Sequence, residues 1–293
     1  MTSSATKYKL IKKIKDEKFD AEKIGQYSLL VQLGVRDTQV AVLDDGNLVF
    51  FEDFVLGEVR DSQEWLEVLQ ELFDAHEVLN AGYWKRVKIS LKNNKYTQVP
   101  EALFLESARH EYLAVTCRVN PEEEVVLHCT NSDLESITIF AMPVFVYEWL
   151  GTIYRNSHLT FHHQAASLIA GVREIAAKDK QPPLFIYVDR FKLHVLFFQD
   201  GRLVYYNQFL IKQFADYVRY IMLVMKSMNM DQQTSKVVLW GYIGKNSPHY
   251  VEFARYVRNV VFGERPRHIQ FSYFFDELQE HHFFDLYSMN LLD

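Results

Sequence analysis

A loop in the last quarter of the chain has residue types that could bind an anionic ligand. Gly241, Gly244 and Asn246 lie between an apolar segment and a predicted helix, Ser247–Val260. The first N–H groups of a helix have no intrahelical partner and attract phosphates, so this loop could hold a phosphate group. Tight turns also require glycine, and turn geometry explains both glycines equally well. The sequence leaves the two interpretations open.

The histidine and cysteine residues do not form a recognisable metal or catalytic site. His162-His163 and His281-His282 are adjacent pairs, and neighbouring side chains of a strand point to opposite faces. Cys117 and the pair His128-Cys129 lack the spacing of zinc ligands. The chain also lacks a serine or cysteine nucleophile motif and a phosphate-binding loop of the type G-x-x-x-x-G-K-S/T. We therefore predict no bound metal and assign no catalytic residue.

Composition and charge exclude several classes of protein. The chain has 293 residues, 48% of them hydrophobic and 24% charged, which suits two ordinary globular domains. A net charge of −6 argues against nucleic-acid binding, which needs clustered cations. Two cysteines are too few for a disulfide framework, and we find neither a signal peptide nor an apolar segment of membrane-spanning length. We expect a cytoplasmic protein without a transmembrane segment.

The second half of the chain repeats the first. Leu29–Leu56 aligns without a gap on Leu184–Ile211, with Asp45-Gly46 matched to Asp200-Gly201 at an offset of 155 residues. Asp-Gly between apolar segments predicts a hairpin turn of type I′ in each copy. The surrounding strands are almost wholly apolar, which indicates sheets covered on both faces. Lysines alternate with apolar residues in 7–15 and predict a solvated edge strand.

Each copy is predicted to run β-β-β-α-β-α-β. The first helix of copy one is expected to have Ser62 as its N-cap. The predicted strands of copy one are Leu29–Leu33, Gln39–Leu43, Leu48–Val55, Val87–Leu91 and His158–Phe161. Those of copy two are Leu184–Val188, His194–Phe198, Leu203–Leu210, Val237–Trp240 and His268–Phe271. Right-handed crossovers would place helices on both faces of a mixed sheet.

The copies differ by an insert in the first. The offset between matched segments falls by 50 residues across about 92–141, a region with two further predicted strands, Glu124–His128 and Ser136–Phe140. A helix at about 163–178 links the halves and ends before Pro182-Pro183. We predict a first domain at 1–180, carrying the insert as a small subdomain, and a second domain at 181–293.

This plan resembles the superfamily of actin, sugar kinases and heat-shock chaperone ATPases. More closely, Tyr27–Val55, Gly241–Tyr250 and the ending Phe283–Tyr287 resemble an uncharacterised bacterial family of unknown function with an actin-like ATPase fold. The resemblance implies an α/β protein of two duplicated, ribonuclease-H-like domains with mixed sheets. It implies no particular activity.

The resemblance also implies where a nucleotide would bind, between two loops of the Asp-x-Gly type and a Gly-Gly adenosine loop. The first copy keeps Gly34 but has Gln32 in place of the acid that acts through Mg²⁺. The second copy has Asp189, aligned with Gly34, and Phe191 where a phosphate would approach. Tyr242 follows Gly241 in the adenosine loop. If a nucleotide binds, its contacts would be Gly34, Asp189, Gly241, Gly244 and Asn246.

From these substitutions we expect a non-catalytic interaction or scaffold protein that binds another protein, with the insert as the candidate contact. We expect no cofactor and no hydrolysis of ATP, because phosphoryl transfer depends on positioned charge and metal. Two alternatives stay open. One is an ATP- and Mg²⁺-dependent switch or kinase-like enzyme, and the other is a small-molecule binding protein that uses the cleft between its domains.

Overall fold

The computed structural model describes residues 7–131, 134–176, 181–190 and 192–293. The described residues form two compact units. The first unit comprises Met1–Ser167, Arg267–Glu277 and Met289–Asp293, and the second comprises Leu168–Pro266 and Leu278–Ser288. The domain boundary predicted at residue 180 stays a prediction, and the compact units divide inside the predicted linking helix. No helix among the described residues is long and apolar enough to cross a membrane.

The first unit is built on a mixed sheet and a smaller second sheet. Its strands are β1 (Tyr8–Lys15), β2 (Ser28–Gly34), β3 (Asp37–Asp44), β4 (Asn47–Leu56), β5 (Arg86–Lys92), β6 (Tyr96–Pro100), β7 (Glu124–Asn131), β8 (Ser136–Pro143) and β9 (His158–His163). The helices are α1 (Ser62–Asp74), α2 (Glu77–Asn80), α3 (Arg109–Ala114), α4 (Val144–Ile153) and α5 (Gln164–Ala176), the last of which continues into the second unit. The large sheet has the order β1-β4-β3-β2-β5-β9, and the small one β6-β8-β7.

The second unit repeats the large sheet. Its elements are β10 (Leu184–Val188), β11 (Lys192–Gln199), β12 (Arg202–Leu210), α6 (Phe214–Ser227), β13 (Val237–Gly241), α7 (Pro248–Phe253), β14 (Val260–Phe262) and α8 (Phe284–Ser288), and β15 (Gln270–Phe271), between β14 and α8 in the chain, belongs to the first unit. The sheet order is β12-β11-β10-β13-β14. Its strand senses match those of β4-β3-β2-β5-β9, with two antiparallel pairs followed by two parallel pairs.

The repeat seen in the sequence is kept in the strand register. Leu29 pairs with Val42 and Leu184 pairs with Phe197, so the offset of 155 residues holds across both hairpins. The ladder to the third strand shifts directly after Val42 in one unit and directly after Phe197 in the other. Asp45 and Gly46 have φ of 44° and 83°, and Asp200 and Gly201 have 52° and 75°. The predicted turns with positive φ are therefore confirmed.

The predicted fifth strand of the second copy is wrong. His268–Phe271 does not join the second sheet, because its last two residues form β15 and pair in parallel with β4 of the first unit. The fifth strand is β14, beside β13. The chain leaves that sheet at Gly263, where an added Cβ would lie 1.9 Å from the indole ring of Trp240. Gly263 therefore has no room for a side chain beside Trp240, its N–H still donates to Leu239 O at 2.8 Å, and the chain then returns to the first unit.

Two smaller predictions also need correction. The N-cap of α1 is Asp61, not Ser62, because the Asp61 carboxylate accepts the Glu64 N–H at 2.9 Å. The helix predicted at Ser247–Val260 ends at Phe253, and Val260 begins a strand. Ser247 is its N-cap and Pro248 its first residue, where the missing N–H has no cost.

The insert forms its own small layer in the first unit. Both predicted strands are present as β7 and β8, and β6 adds a third that the sequence pattern is too short to indicate. Its core joins the small sheet to α3 through Val99, Leu113, Val126, Ile137, Ile139 and Ala141. In the second unit only residues 242–247 separate β13 from α7, so the described residues there include no counterpart.

Candidate functional site

The turn between β2 and β3 is the place in the first unit where the resemblance would put a phosphate. Gly34 ends β2, and Asp37 begins β3. A Cβ added to Gly34 would lie 2.5 Å from Oδ1 of Asp37 and 3.5 Å from Cδ of Lys92. The space beside this glycine therefore already contains a carboxylate and an ammonium side chain from the same chain.

Asp37 and Lys92 form a buried ion pair. Lys92 Nζ lies 2.8 Å from Asp37 Oδ2, and each side chain is only 4% exposed. Lys92 ends β5, which pairs in parallel with β2 and so places Lys92 opposite Gly34. The carbonyl of Gly34 is also occupied, because it accepts the Trp65 indole N–H at 3.0 Å. The turn is thus closed by side chains from β3, β5 and α1.

The amide of Gln32 lies two residues before the turn and on the same face of the sheet. It is 1% exposed and pairs across the sheet with Gln39 and Ser90. Among the described residues, its Nε2 has no hydrogen-bond partner. An amide has no charge to hold Mg²⁺. No group of three or more His, Cys, Asp or Glu side chains in the described ranges could hold a metal ion.

Two depressions adjoin the closed turn. A cavity of about 330 Å³ is lined by Val35, Arg36, Arg60, Trp65 and Lys92, among others. A groove of about 790 Å³ lies beside it along the insert, with Lys95, Arg118, Glu123 and Glu124 in its wall. Lys95 and Glu124 line both, and their charged groups are 2.6 Å apart. This region mixes both signs of charge.

In the second unit, Asp189 occupies the position that matches Gly34. It is 4% exposed, and its carboxylate accepts the N–H of Arg190 at 2.8 Å. The Arg190 guanidinium lies over the ring of Tyr242, 4.4 Å from the ring centre. The Tyr242 N–H donates to Val188 O at 2.7 Å, so Tyr242 lies beside the end of β10. Phe191 lies outside the described residues, so its steric role stays a prediction.

Tyr187, two residues before Asp189, occupies the position of Gln32. Its hydroxyl donates a hydrogen bond to the buried carboxylate of Asp285. Burial raises the pKa of Tyr187 well above its ordinary value, and the charges of Asp285 and Asp189 add to the effect. Tyr187 therefore stays protonated and neutral, and its hydroxyl is the hydrogen-bond partner of the Asp285 carboxylate.

Gly241 is required by packing. Its φ is 92°, and an added Cβ would lie 2.1 Å from the carbonyl oxygen of Val188. Its N–H donates to His281 O at 2.7 Å, and the Tyr242 N–H donates to Val188 O at 2.7 Å. These N–H groups are satisfied within the protein. Turn geometry, the second interpretation of the sequence, therefore accounts for Gly241.

The other two candidate residues lie further along the loop. Nothing would lie within 4 Å of a Cβ added to Gly244, and Asn246 is exposed. The Gly244 carbonyl accepts the N–H of Ser247 at 2.9 Å. Asp189, Gly241, Gly244 and Asn246 thus belong to one unit and Gly34 to the other. The sequence analysis does not identify Asp37 and Lys92 as site residues. The one signal for them is that a lysine, Lys92, directly follows a predicted apolar strand.

The histidine pairs have structural surroundings. Burial, reinforced by the charge of Lys88, lowers the pKa of His162 to about 3, and its Nε2 lies 2.8 Å from the Thr160 hydroxyl. His281 Nε2 lies 2.7 Å from Ile243 O, and burial lowers its pKa. Burial lowers the pKa of His282 to about 4. These rings are neutral at physiological pH.

Solved structures show the same fold. A Bacteroides thetaiotaomicron protein described as having an actin-like ATPase fold and unknown function superposes with a TM-score of 0.72 at 20% identity, over 84% of this chain and 93% of that one. A structure of the PilM–PilN type IV pilus biogenesis complex gives 0.57 at 11% identity, over 90% and 97%. Ethanolamine utilization protein EutJ from Carboxydothermus hydrogenoformans gives 0.50 at 11% identity, over 91% and 90%.

Sequence comparison identifies the family. Searching the curated proteins gives no match. Residues 16–260 match the family described as protein of unknown function DUF3822. That match spans most of the chain, from the residue after β1 to the first residue of β14. The resemblance and the fold class inferred from the sequence are thereby confirmed. The chain belongs to the DUF3822 family and has the actin-like ATPase fold.

Proposed function

We propose that this protein is a non-catalytic member of the actin-like fold that acts by binding another protein. The observation that carries the proposal is the Asp37–Lys92 ion pair beside Gly34. The carboxylate takes the place of a ligand's negative charge, and Lys92 is already neutralised by it. The fold is retained while its phosphate turn is closed from within.

Electrostatics explain why this closure disfavours a nucleotide. A phosphate approaching Gly34 would meet the Asp37 carboxylate, and like charges repel strongly where water is excluded. Displacing Asp37 would disrupt a buried ion pair, and the Lys92 ammonium would then lose the Asp37 carboxylate. Gln32 supplies no charge for Mg²⁺, and Tyr242 lies under Arg190 in the second unit. Each obstacle disfavours a nucleotide in its own unit.

The insert is the proposed contact for the partner. It distinguishes the first unit from the second, and the groove of about 790 Å³ runs along it. Its wall carries both cationic and anionic side chains, which suits polar recognition of a protein segment. One protein of the same fold, PilM, is found in a complex with PilN. The cytoplasm is the proposed location.

A thermal-shift series with Mg-ATP tests the non-catalytic part. A ligand present at 100 times its dissociation constant would add about 2.7 kcal/mol of stability. We expect no shift for the unaltered protein and none for Gln32→Asp, since that variant restores an acid but leaves the Asp37–Lys92 pair in place. A dose-dependent shift in the unaltered protein would contradict the proposal.

A second experiment tests the partner contact. Lys95→Glu together with Arg118→Glu reverses charge in the groove, and Lys226→Glu is the matched surface control on α6. We expect a partner isolated with the unaltered protein to be lost with the groove variant and kept with the control. Equal retention by both variants would remove the groove from the proposal.

Two alternative functions are each tied to particular residues or to a cavity. A nucleotide switch would use Asp189 and the open side of Gly244, with Gly34, Gly241 and Asn246 as further contacts. A small-molecule binder would use the cavity of about 330 Å³ beside Trp65. The Mg-ATP series decides the first, and a shift produced by an uncharged ligand but abolished by Trp65→Ala would support the second.

A further inference from the structure

A third cavity lies at the β9 edge of the large sheet in the first unit. Among the described strands, β9 is the last of that sheet and pairs only with β5. A cavity of about 330 Å³ separates it from β7 of the small sheet. The lining comes from Leu127–Thr130 of β7, Tyr147 of α4, Leu159–His162 of β9, and Asp293. None of these residues lines the groove along the insert or the cavity beside Trp65.

The apolar part of the cavity wall is half-buried and includes two aromatic rings. Leu127 and Leu159 line it, and the rings of Tyr147 and Phe161 are tilted against each other with their centres 4.9 Å apart. Such walls favour a ligand with a flat apolar body. A volume of about 330 Å³ is near the lower end for ligand sites, and it suits a single ring with a short substituent.

One polar group of the wall is held by a buried histidine. The Thr160 hydroxyl lies 2.8 Å from Nε2 of His162, which is 1% exposed. Burial, reinforced by the charge of Lys88, lowers the pKa of His162 to about 3, so the neutral ring carries one N–H. Its Nδ1 has no hydrogen-bond partner in the part of the chain that the structure describes. A buried N–H without an acceptor is rarer than an unpaired acceptor, so the proton belongs on Nε2 and is donated to Thr160.

This tautomer of His162 sets the direction of the Thr160 hydroxyl. A hydroxyl has one O–H donor and two lone pairs, and one lone pair accepts the bond from Nε2. The O–H is thereby left to donate, and it has no other partner within the described ranges. Thr160 is half-buried in the cavity wall. It therefore offers a hydrogen-bond donor to a molecule in the cavity.

The charges around the cavity favour an uncharged ligand. Asp293 is exposed in the lining and would repel an anion, and Lys88, paired with Thr160 across the sheet, would repel a cation. The other titratable groups in the wall are neutral, because burial lowers the pKa of His128 and raises that of Cys129 to about 12. An uncharged molecule avoids both repulsions.

We propose that this cavity binds a small uncharged molecule that has an aromatic ring and a carbonyl oxygen. The ring packs against Tyr147 and Phe161, and the oxygen accepts the hydrogen bond of the Thr160 hydroxyl. His162 is the positioning residue that directs this hydroxyl. The site is independent of the proposed partner contact, since the two share no lining residue.

Two probe ligands of the same shape test the proposal. Acetophenone has the ring and the carbonyl oxygen, and α-methylstyrene has a CH₂ group in place of that oxygen. NMR titration of the full-length protein, followed at the backbone amides of Leu159–His162, gives both dissociation constants. We expect acetophenone to bind roughly 3- to 10-fold more tightly, the effect of one ordinary hydrogen bond. Benzoate, an anion of similar size, should not bind.

Three variants locate the binding. Thr160→Val removes the hydroxyl with little change of shape and should weaken acetophenone to the level of α-methylstyrene. Thr152→Val is the matched control, because its exposed hydroxyl bonds to Glu148 O, and it should bind like the unaltered protein. Leu127→Trp fills the cavity from a half-buried position and should abolish binding of both ligands. Circular dichroism and Tm establish that each variant is folded.

The ¹⁵N signals of the His162 ring test the direction of the hydroxyl. They should show a protonated Nε2 and a bare Nδ1, with assignment by comparison with His162→Phe. Failure of acetophenone to bind, equal affinities for the two probes in the unaltered protein, binding that survives Leu127→Trp, or a proton on Nδ1 would each overturn the proposal.

Discussion

The two large sheets share one strand topology but differ in the side chains of one row of cross-strand neighbours. In the first unit Gln39, Gln32, Ser90 and His162 are neighbours across the strands, and all are buried. The matching residues of the second unit are His194, Tyr187 and Trp240, with Gly263 after β14. Trp240 stacks on Phe284 at 4.5 Å. Equal backbone topology therefore permits a polar interior on one side and an aromatic one on the other.

The difference extends to how each unit closes its candidate turn. The first unit uses charge, through Asp37 and Lys92 beside Gly34. The second uses backbone packing, through Gly241 against Val188. In each unit the space at the candidate turn is occupied by the protein's own groups. The comparison teaches that two units of the same topology fill these places by different means, and each can be tested separately.

The largest expected effect is the loss of one partner of the buried ion pair. Lys92→Met leaves the Asp37 carboxylate buried without its ammonium, which should lower the free energy of unfolding by roughly 3–5 kcal/mol. The exposed pair Arg36–Glu58 is the control, and Glu58→Gln should cost less than about 1 kcal/mol. Denaturant unfolding measures both. Equal effects would show that burial does not distinguish the pairs.

Gly241→Ala should have the next largest effect. The added Cβ would meet Val188 O, and φ of 92° is strained for any residue but glycine, so we expect a loss of roughly 2–4 kcal/mol. Gly244→Ala in the same loop has open space and should change stability by less than about 1 kcal/mol. If the two variants unfold alike, packing is not the reason for Gly241.

A smaller effect concerns pH and the polar row of the first unit. The folded pKa of His162 is about 3, below its ordinary 6.5. The unfolded chain therefore takes up a proton that the folded state refuses, and stability from this group is complete above pH 6.5 and is lost as pH falls towards 3. His162→Gln should flatten unfolding free energy against pH in that window. Leu223→Gln, at an exposed position without a titratable group, is the control and should leave the slope unchanged.

Local sequence signals predict much of the frame. Asp45-Gly46 and Asp200-Gly201 each specify a tight turn of four consecutive residues. The apolar segments on either side of each turn are therefore predicted to be the two strands of a hairpin. The closure of the turn depends on contacts between distant positions, since Asp37 and Lys92 are brought together only when β2 and β5 pair. The misplaced fifth strand has the same cause, because Gln270 and Phe271 pair with β4, a strand more than 200 residues earlier in the chain. Spacing along the chain does not encode such contacts.

Titration calorimetry of the unaltered protein with Mg-ATP tests most directly whether the closed turns exclude the nucleotide. We expect no binding heat above dilution, for the unaltered protein and for Asp189→Ala alike, because Asp37 and Lys92 fill the space beside Gly34 in both. A micromolar affinity in the unaltered protein that disappears in Asp189→Ala would contradict this and would make the protein a nucleotide-dependent switch.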